Sequence, residues 1–483
     1  MMKGLALHGL VVLVMVALPV ISTRAQSPPP WKQLSYVTSS NAGDGDQLGY
    51  SIALSGDGNT LAAGAPMEGS NATGINGNQD DDSAYSSGAV YVYTRSGAGW
   101  LQQAYLKASN TGANDQFGNA VALSADGNTL AVSAVFEDSG ATGINGNQAD
   151  NSVEESGAVY VFSRTGNAWT QQAYIKASNT GGRDDGDTFG YTIALSDDGA
   201  TLAVGAPSED SSATGSNSDQ ADNSAVGAGA VYVFTRAGGT WSQQAYVKSS
   251  NTRANSLFGY SVALNSNGDT LAAGAFDEDG GKGAVHVLVR RGTAWTEQAR
   301  LQASNAERAD SFGASVTIAD DGNTIAAGAL DEDSFLTNIN PGDRGAEDQS
   351  TDTSAGAAYV FTRSGNAWSQ QAFIKASNTG KEDWFGVRLA LSGDGNTVVI
   401  SAPNEDGDND AAPEAGAVYV YSRAAGAWSH QVYLKGSTTE QFDEFGSSVA
   451  LSRDGRTMAV GARLDEPAAS PISDAGSVYV FSR

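Results

Sequence analysis

Short apolar runs recur along the chain, each closed off by glycine, aspartate or asparagine, and they fall into one repeating order. A full unit reads Phe117-Gly118, an apolar stretch at 120–124, the turn Asp126-Gly127-Asn128, a second apolar stretch at 129–134, a variable acidic segment, a Gly-Ala-Val-Tyr-Val-Phe run at 157–162, and a tryptophan-led run at 169–178. β-Branched and aromatic residues bounded by glycine and polar residues predict strands throughout. Ile52-Ala53-Leu54 and Leu61-Ala62-Ala63 are apolar on both sides, as expected of strands buried between neighbouring sheets. The run 100–107 brings in polar residues (Gln102, Gln103, Lys107) and predicts an outer, half-exposed strand. Asp57-Gly58 and Asp126-Gly127 are hairpin signals between the first two strands, and Ser96-Gly97-Ala98-Gly99 joins the third to the fourth.

The Phe-Gly pair returns at Phe189, Phe258, Phe312, Phe385 and Phe445, with Leu48-Gly49 as an altered first copy. The third-strand run begins at Gly88, Gly157, Gly229, Gly283, Gly356, Gly416 and Gly476, and the fourth opens at Trp31, Trp100, Trp169, Trp241, Trp295, Trp368 and Trp428. Each landmark occurs seven times, and Trp384 alone falls outside the pattern. Repeats of four antiparallel strands predict an all-β fold, a seven-bladed β-propeller. The ends are out of phase: the chain starts with an orphan fourth strand at 31–38 and stops after a third strand at 476–483. Pairing the N-terminal strand with the last blade closes the ring and removes two open sheet edges. Residues 31–483 therefore read as one domain.

Ahead of it, Lys3, an apolar run at 9–21 and small residues around Thr23-Arg24-Ala25 read as a removed secretory signal at 1–25, too short for a membrane span. Residues 26–30, ending in Pro28-Pro29-Pro30, form a short linker. The expected location is secreted, periplasmic or cell-surface. With no cysteine, neither a disulfide framework nor a lipidated N-terminus is available. Net charge is −27, and −29 once the signal takes Lys3 and Arg24 with it. That excess argues against nucleic acid, whose binding needs cations to displace counterions, and against anionic membranes. Cations, basic proteins and neutral glycans remain as partners.

The Phe-Gly element followed by Gly64-Ala65-Pro66 or Gly205-Ala206-Pro207, together with the Gly-x-Val-Tyr-Val-Phe strand, resembles the FG-GAP repeat of the integrin α-subunit propeller, which also has seven repeats. The resemblance covers the chain beyond the signal and implies a seven-bladed propeller with an extracellular recognition or adhesion role. Some copies lack the proline (Ser133-Ala134-Val135, Gly461-Ala462-Arg463). The family's calcium loop is not carried over: a calcium ion takes roughly six to eight oxygens, and the turn Ser55-Gly56-Asp57-Gly58-Asn59 offers one carboxylate.

In a four-stranded meander, the short hairpins leave by one face of the disc, while the loops joining second to third strands and the links between blades leave by the other. One compact, near-neutral face and one acidic, long-looped face are expected, the latter concentrating cations. Acidic pairs follow the second strand in most blades (Glu137-Asp138, Glu209-Asp210, Asp277-Glu278, Asp331-Glu332, Glu405-Asp406, Asp465-Glu466), and such regularity describes the repeat rather than a catalytic centre. Calcium is the candidate cofactor, at Asp406, Asp408 and Asp410, where carboxylates alternate; Asp44 with Asp46 and Asp185 with Asp187 are weaker versions. Beyond the signal there are two histidines, both repeat substitutions: His286 stands for a tyrosine and His430 for a glutamine. With no Cys there is no thiol nucleophile, and with two histidines and no nucleophile elbow a triad mechanism is hard to build. Repeated Trp and Tyr fit packing, whereas Trp384 is a candidate ligand contact. The near-identical runs 75–79 and 144–148 suggest a shared surface or recent duplication. The expected function is non-catalytic binding or adhesion toward an extracellular protein or glycan. The alternatives are a metal-assisted hydrolase or lyase using loop carboxylates, and a structural surface or matrix module.

Overall fold

The computed structural model describes Met1 and residues 30–97, 99–180, 186–340, 353–407, 412–467 and 472–483. Its strands form seven antiparallel sheets of four, six of them in chain order from the axis outward. In the first blade these are Ser51–Leu54, Thr60–Ala65, Ala89–Ser96 and Gly99–Leu106. The last blade takes Phe445–Leu451, Thr457–Ala462 and Ser477–Ser482 from the C-terminal end, and Lys32–Val37 pairs beside Ser477–Ser482 as its outer strand. The closure anticipated from the out-of-phase ends is therefore present.

Each second strand is wholly buried, as in Thr60–Ala65 and Thr129–Ala134. The first strands depart from expectation: Ser51–Leu54 is only partly buried along its length, because it faces the axial channel rather than a neighbouring sheet. The core instead lies between adjacent blades, where the Phe-Gly ring packs on its own blade's third strand. Phe117, for example, meets Tyr160 edge-on at 5.4 Å.

The glycine of the Phe-Gly pair is required twice over. Gly49 has φ +89°, and a Cβ there would lie 2.5 Å from the Ser477 carbonyl oxygen. Its own carbonyl accepts the Ser448 hydroxyl at 2.5 Å, tying the last blade to the first; Ser51 to Gly118 and Ser261 to Gly313 repeat that bond. Tryptophans clasp blades from outside. Trp169 Nε1 donates to Gln103 Oε1 of the preceding blade at 3.0 Å while the Arg164 guanidinium lies 5.3 Å over its ring, and the Trp428–Gln371–Arg423 set is equivalent. The repeated tryptophans are thus packing residues.

Candidate functional site

The acidic residue after each second strand is buried. Glu68 meets Lys107 at 2.8 Å, and Glu137–Lys176, Glu209–Lys248, Glu332–Lys375 and Glu405–Lys435 repeat the pair at 2.5–2.7 Å. Lys107 is fully buried, contrary to its reading as an exposed outer-strand residue: it stands just past the strand end, where the chain turns under the long loop. Burial pushes its ammonium below the ordinary value even with Glu68 pulling upward. Glu68 also accepts the Tyr105 hydroxyl at 2.9 Å and the Asn41 amide at 3.1 Å, and Asn41 belongs to the link from the previous blade. The carboxylates are therefore spent on joining blades.

Two blades depart from this rule. In the fourth, Gln302 stands where Lys107 would, and the partners of the acid stand on the tyrosine positions instead: His286 Nε2 contacts Glu278 at 2.8 Å and Arg300 Nε donates to it at 2.6 Å. Burial alone would lower the His286 pKa, but the bonds to Glu278 and Glu297 outweigh it and raise it. Burial likewise opposes ionisation of Glu278, yet His286, Asn251 and Arg300 hold it down to about 2. In the seventh blade Thr38 replaces the lysine and Asp465 the glutamate; burial raises the Asp465 pKa, and its carboxyl bonds the Tyr36 hydroxyl at 2.5 Å.

A second buried carboxylate lies two residues before most Phe-Gly pairs. Burial raises Asp46, Asp115, Asp187 and Asp443 to about 7, against backbone N–H donors at Gly43, Gly112 and Glu440 for three of them. The weaker cation candidates Asp46 and Asp187 belong to this set. Asp44 instead accepts the Ser473 N–H at 3.0 Å, and Asp185 lies outside the described residues.

Of the predicted metal ligands, Asp406 accepts the Glu414 N–H at 2.8 Å and so closes its loop, as Asp138 does toward Glu155 and Asp210 toward Gly227. Asp408 and Asp410 lie outside the described residues. The hairpin carboxylates are used within their own turns: Asp57 accepts Ser55 Oγ at 2.6 Å and the Asn59 N–H at 3.0 Å. Among the described residues no three His, Cys, Asp or Glu side chains are grouped as a metal would need.

Trp384 is 38 % exposed with φ +55°, between Asp383 and Phe385. Its position does belong to the repeat, since Gln47, Gln116 and Leu257 hold the same left-handed backbone; only the residue type is unusual. Tyr85 and Phe442 are further exposed aromatics on the long-loop side. The twin runs turn out to be structural: Asn76 Oδ1 accepts the Tyr105 N–H at 3.0 Å and Asn145 does so for Tyr174, laying each loop along an outer strand. Asn217 and Asn340, in loops of different sequence, do the same.

The two ends of the axis differ most. At the hairpin end the backbone closes on itself: Gly56 donates to Ala125, which donates to Asp197, then Ser266, Asp320, Gly393 and Arg453, which returns to Gly56, all at 2.8–3.2 Å. The Arg453 side chain spans this ring to Asp197 at 2.8 Å and Asp320 at 2.6 Å. At the other end the inner strands begin around a cavity of about 230 Å³, with Tyr50, Asn119, Tyr191, Tyr260 and Arg388 on its wall. Tyr191 and Tyr260 pack 4.8 Å apart, and Tyr260 meets Phe276 at 4.4 Å. This pit was missed from sequence, although a signal existed. The residue after each Phe-Gly glycine is not repeated: Tyr50, Asn119, Tyr191, Tyr260, Ala314, Val387 and Ser447.

A search of curated proteins finds no match to the chain. The FG-GAP repeat model matches residues 100–162, 241–288, 295–361, 368–421 and 428–481, more than half of the sequence, each match running from an outer tryptophan strand through the third strand of the following blade. Motif, blade number, ring closure and this match agree that the chain belongs to the FG-GAP repeat family.

Proposed function

We propose that this chain is an exported, non-catalytic binding or adhesion module that presents its acidic long-loop face to an extracellular protein or glycan. The observation that carries the reading is the asymmetry of the axis: the hairpin end is sealed by backbone and by Arg453, while the loop end opens into a pit ringed by long loops. FG-GAP propellers are typically non-catalytic. The pit wall carries no carboxylate, histidine or lysine among the described residues, which counts against a hydrolase or lyase built on loop carboxylates. Export rests on the apolar run at 9–21, and N-terminal sequencing of the product from the producing cells should begin near Gln26. Calcium is proposed at Asp406, Asp408 and Asp410; a thermal midpoint raised by calcium and returned by chelator supports it, and an unchanged midpoint removes it.

The binding reading is tested by retention of the native chain on arrays of extracellular proteins and glycans. The triple variant Tyr85→Ser, Trp384→Ser, Phe442→Ser should lose retention, and Leu101→Ser, an exposed residue of an outer strand, should keep it. Retention unaffected by the triple variant would sink the reading.

A further inference from the structure

We propose that the axial pit is a binding site for one acidic sugar residue, taken end-on from a chain terminus, with Arg388 pairing its carboxylate and the Tyr191–Tyr260 pair, backed by Phe276, receiving its ring. The proposal rests on the binding-module reading and goes beyond it in naming a site and a ligand class.

Arg388 is exposed on the wall of the pit, and among the described residues the one hydrogen bond of its guanidinium is to the carbonyl of the adjacent Val387, at 3.2 Å. The chain has twice as many acids as Lys and Arg together, and on the loop side Arg463 donates to Glu444 at 2.6 Å and Arg300 to Glu278, whereas Arg388, like Arg253 and Arg308, has no ion pair among the described residues; of these three it is Arg388 that lines the axial pit. A guanidinium without a protein carboxylate offers its fork to a ligand carboxylate.

The rest of the wall narrows the ligand further. The Ser51, Ser261, Ser315 and Ser448 hydroxyls donate to glycine carbonyls of neighbouring blades, so they are already engaged. Asn119 donates to the Tyr191 carbonyl at 3.4 Å. The remaining polar groups facing the pit include tyrosine phenols; burial and the neighbouring Tyr260 raise the Tyr191 pKa, so that phenol stays protonated and able to donate. Packed aromatic rings beside hydrogen-bond donors suit a sugar, which has apolar C–H faces and polar edges.

Size points the same way. At about 230 Å³ the cavity falls below the roughly 300–1,000 Å³ of sites for larger ligands, which leaves room for a single ring. The sealed hairpin end gives the axis one entrance, so the residue enters as a terminus. The overall negative charge disfavours anions on this face generally, a polyanion most, so a carboxylate is admitted only singly and where the Arg388 guanidinium stands.

The test is calorimetric titration of the full chain with methyl β-D-glucuronide and, as uncharged counterpart, methyl β-D-glucoside, repeated on Arg388→Gln and Tyr260→Ala. Urea midpoints are measured alongside to show that both variants remain folded. The glucuronide should bind roughly ten-fold or more tighter than the glucoside. Arg388→Gln should erase that difference, and Tyr260→Ala should weaken both sugars alike. Equal binding of the two sugars, no binding of either, or glucuronide affinity unchanged in Arg388→Gln overturns the proposal. So does N-acetylglutamate binding as tightly as the glucuronide, which would assign the pit to carboxylates of any origin. If the pit fails while the arrays still retain the native chain, the sugar site alone falls; if the arrays retain nothing, the binding-module reading falls as well.

Discussion

Two arginines stand near the axis of this propeller at opposite ends, and their surroundings differ. Arg453 bridges Asp197 and Asp320 over a closed ring of backbone hydrogen bonds. Arg388 lines an open pit, and among the described residues its guanidinium bonds only the carbonyl beside it. The same side chain bridges two carboxylates at one end and has no ion pair among the described residues at the other. On the proposed function, stability and recognition fall at different ends of the molecule, and the repeat allows this because each strand's two ends open onto different faces.

The strongest way to break the comparison is to attack what supports the open end. Lys176→Met leaves Glu137 buried without its cation and should cost roughly 3–5 kcal/mol in urea unfolding. A cost within experimental error would mean the blade clasps are dispensable. Next comes pH. Asp115 has a folded pKa of about 7, above its ordinary 3.8, so the native state holds the proton more tightly than the unfolded chain. Its contribution is fully present below the unfolded pKa and is lost as pH rises from about 4 through 7. Asp115→Asn should therefore stabilise the chain at pH 8 by on the order of 1–2 kcal/mol and change little at pH 4. Equal effects at both pH values would show that this carboxyl is not held protonated.

The two arginines themselves sharpen the contrast. Arg453 is partly exposed, and Arg453→Gln should cost about 1 kcal/mol or less, with ligand retention intact. Arg388→Gln should move stability by less than about 0.5 kcal/mol while removing the preference for an acidic sugar. A larger stability loss for Arg388 than for Arg453 would reverse their assignments.

Much of the fold was legible because a repeat reports itself seven times over. The Phe-Gly pair, the third-strand run and the tryptophan strand marked the blades, and the out-of-phase termini disclosed the closure. The buried ion pairs were only half legible. Glu137-Asp138 stood out as a repeated acidic pair, but its partner Lys176 lies 39 residues on and reads locally as an ordinary polar strand residue. Burial of a lysine is a tertiary fact: it depends on a loop folding back over the strand end. The fourth blade shows the same limit, since His286 was recognised as a replaced tyrosine, yet only the structure shows it and Arg300 bonding the Glu278 carboxylate where Gln302 has replaced the lysine. The pit escaped notice for the opposite reason. Tyr50, Tyr191 and Tyr260 share a repeat position without sharing it with every blade, and attention to what recurs passes over what varies. Trp384 was noticed as an irregular residue, although its backbone conformation is regular.

The absence of cysteine makes the central claim directly measurable, because one introduced thiol can carry a bulky polyethylene glycol to a chosen face. Ala113→Cys places it on a blade link at the loop end, and Ala427→Cys at a hairpin on the compact end; both positions are exposed. Retention on the ligand found for the native chain is then compared before and after coupling. Loss for Ala113→Cys with full retention for Ala427→Cys is the predicted result. Loss confined to Ala427→Cys would contradict the account and move recognition to the sealed end.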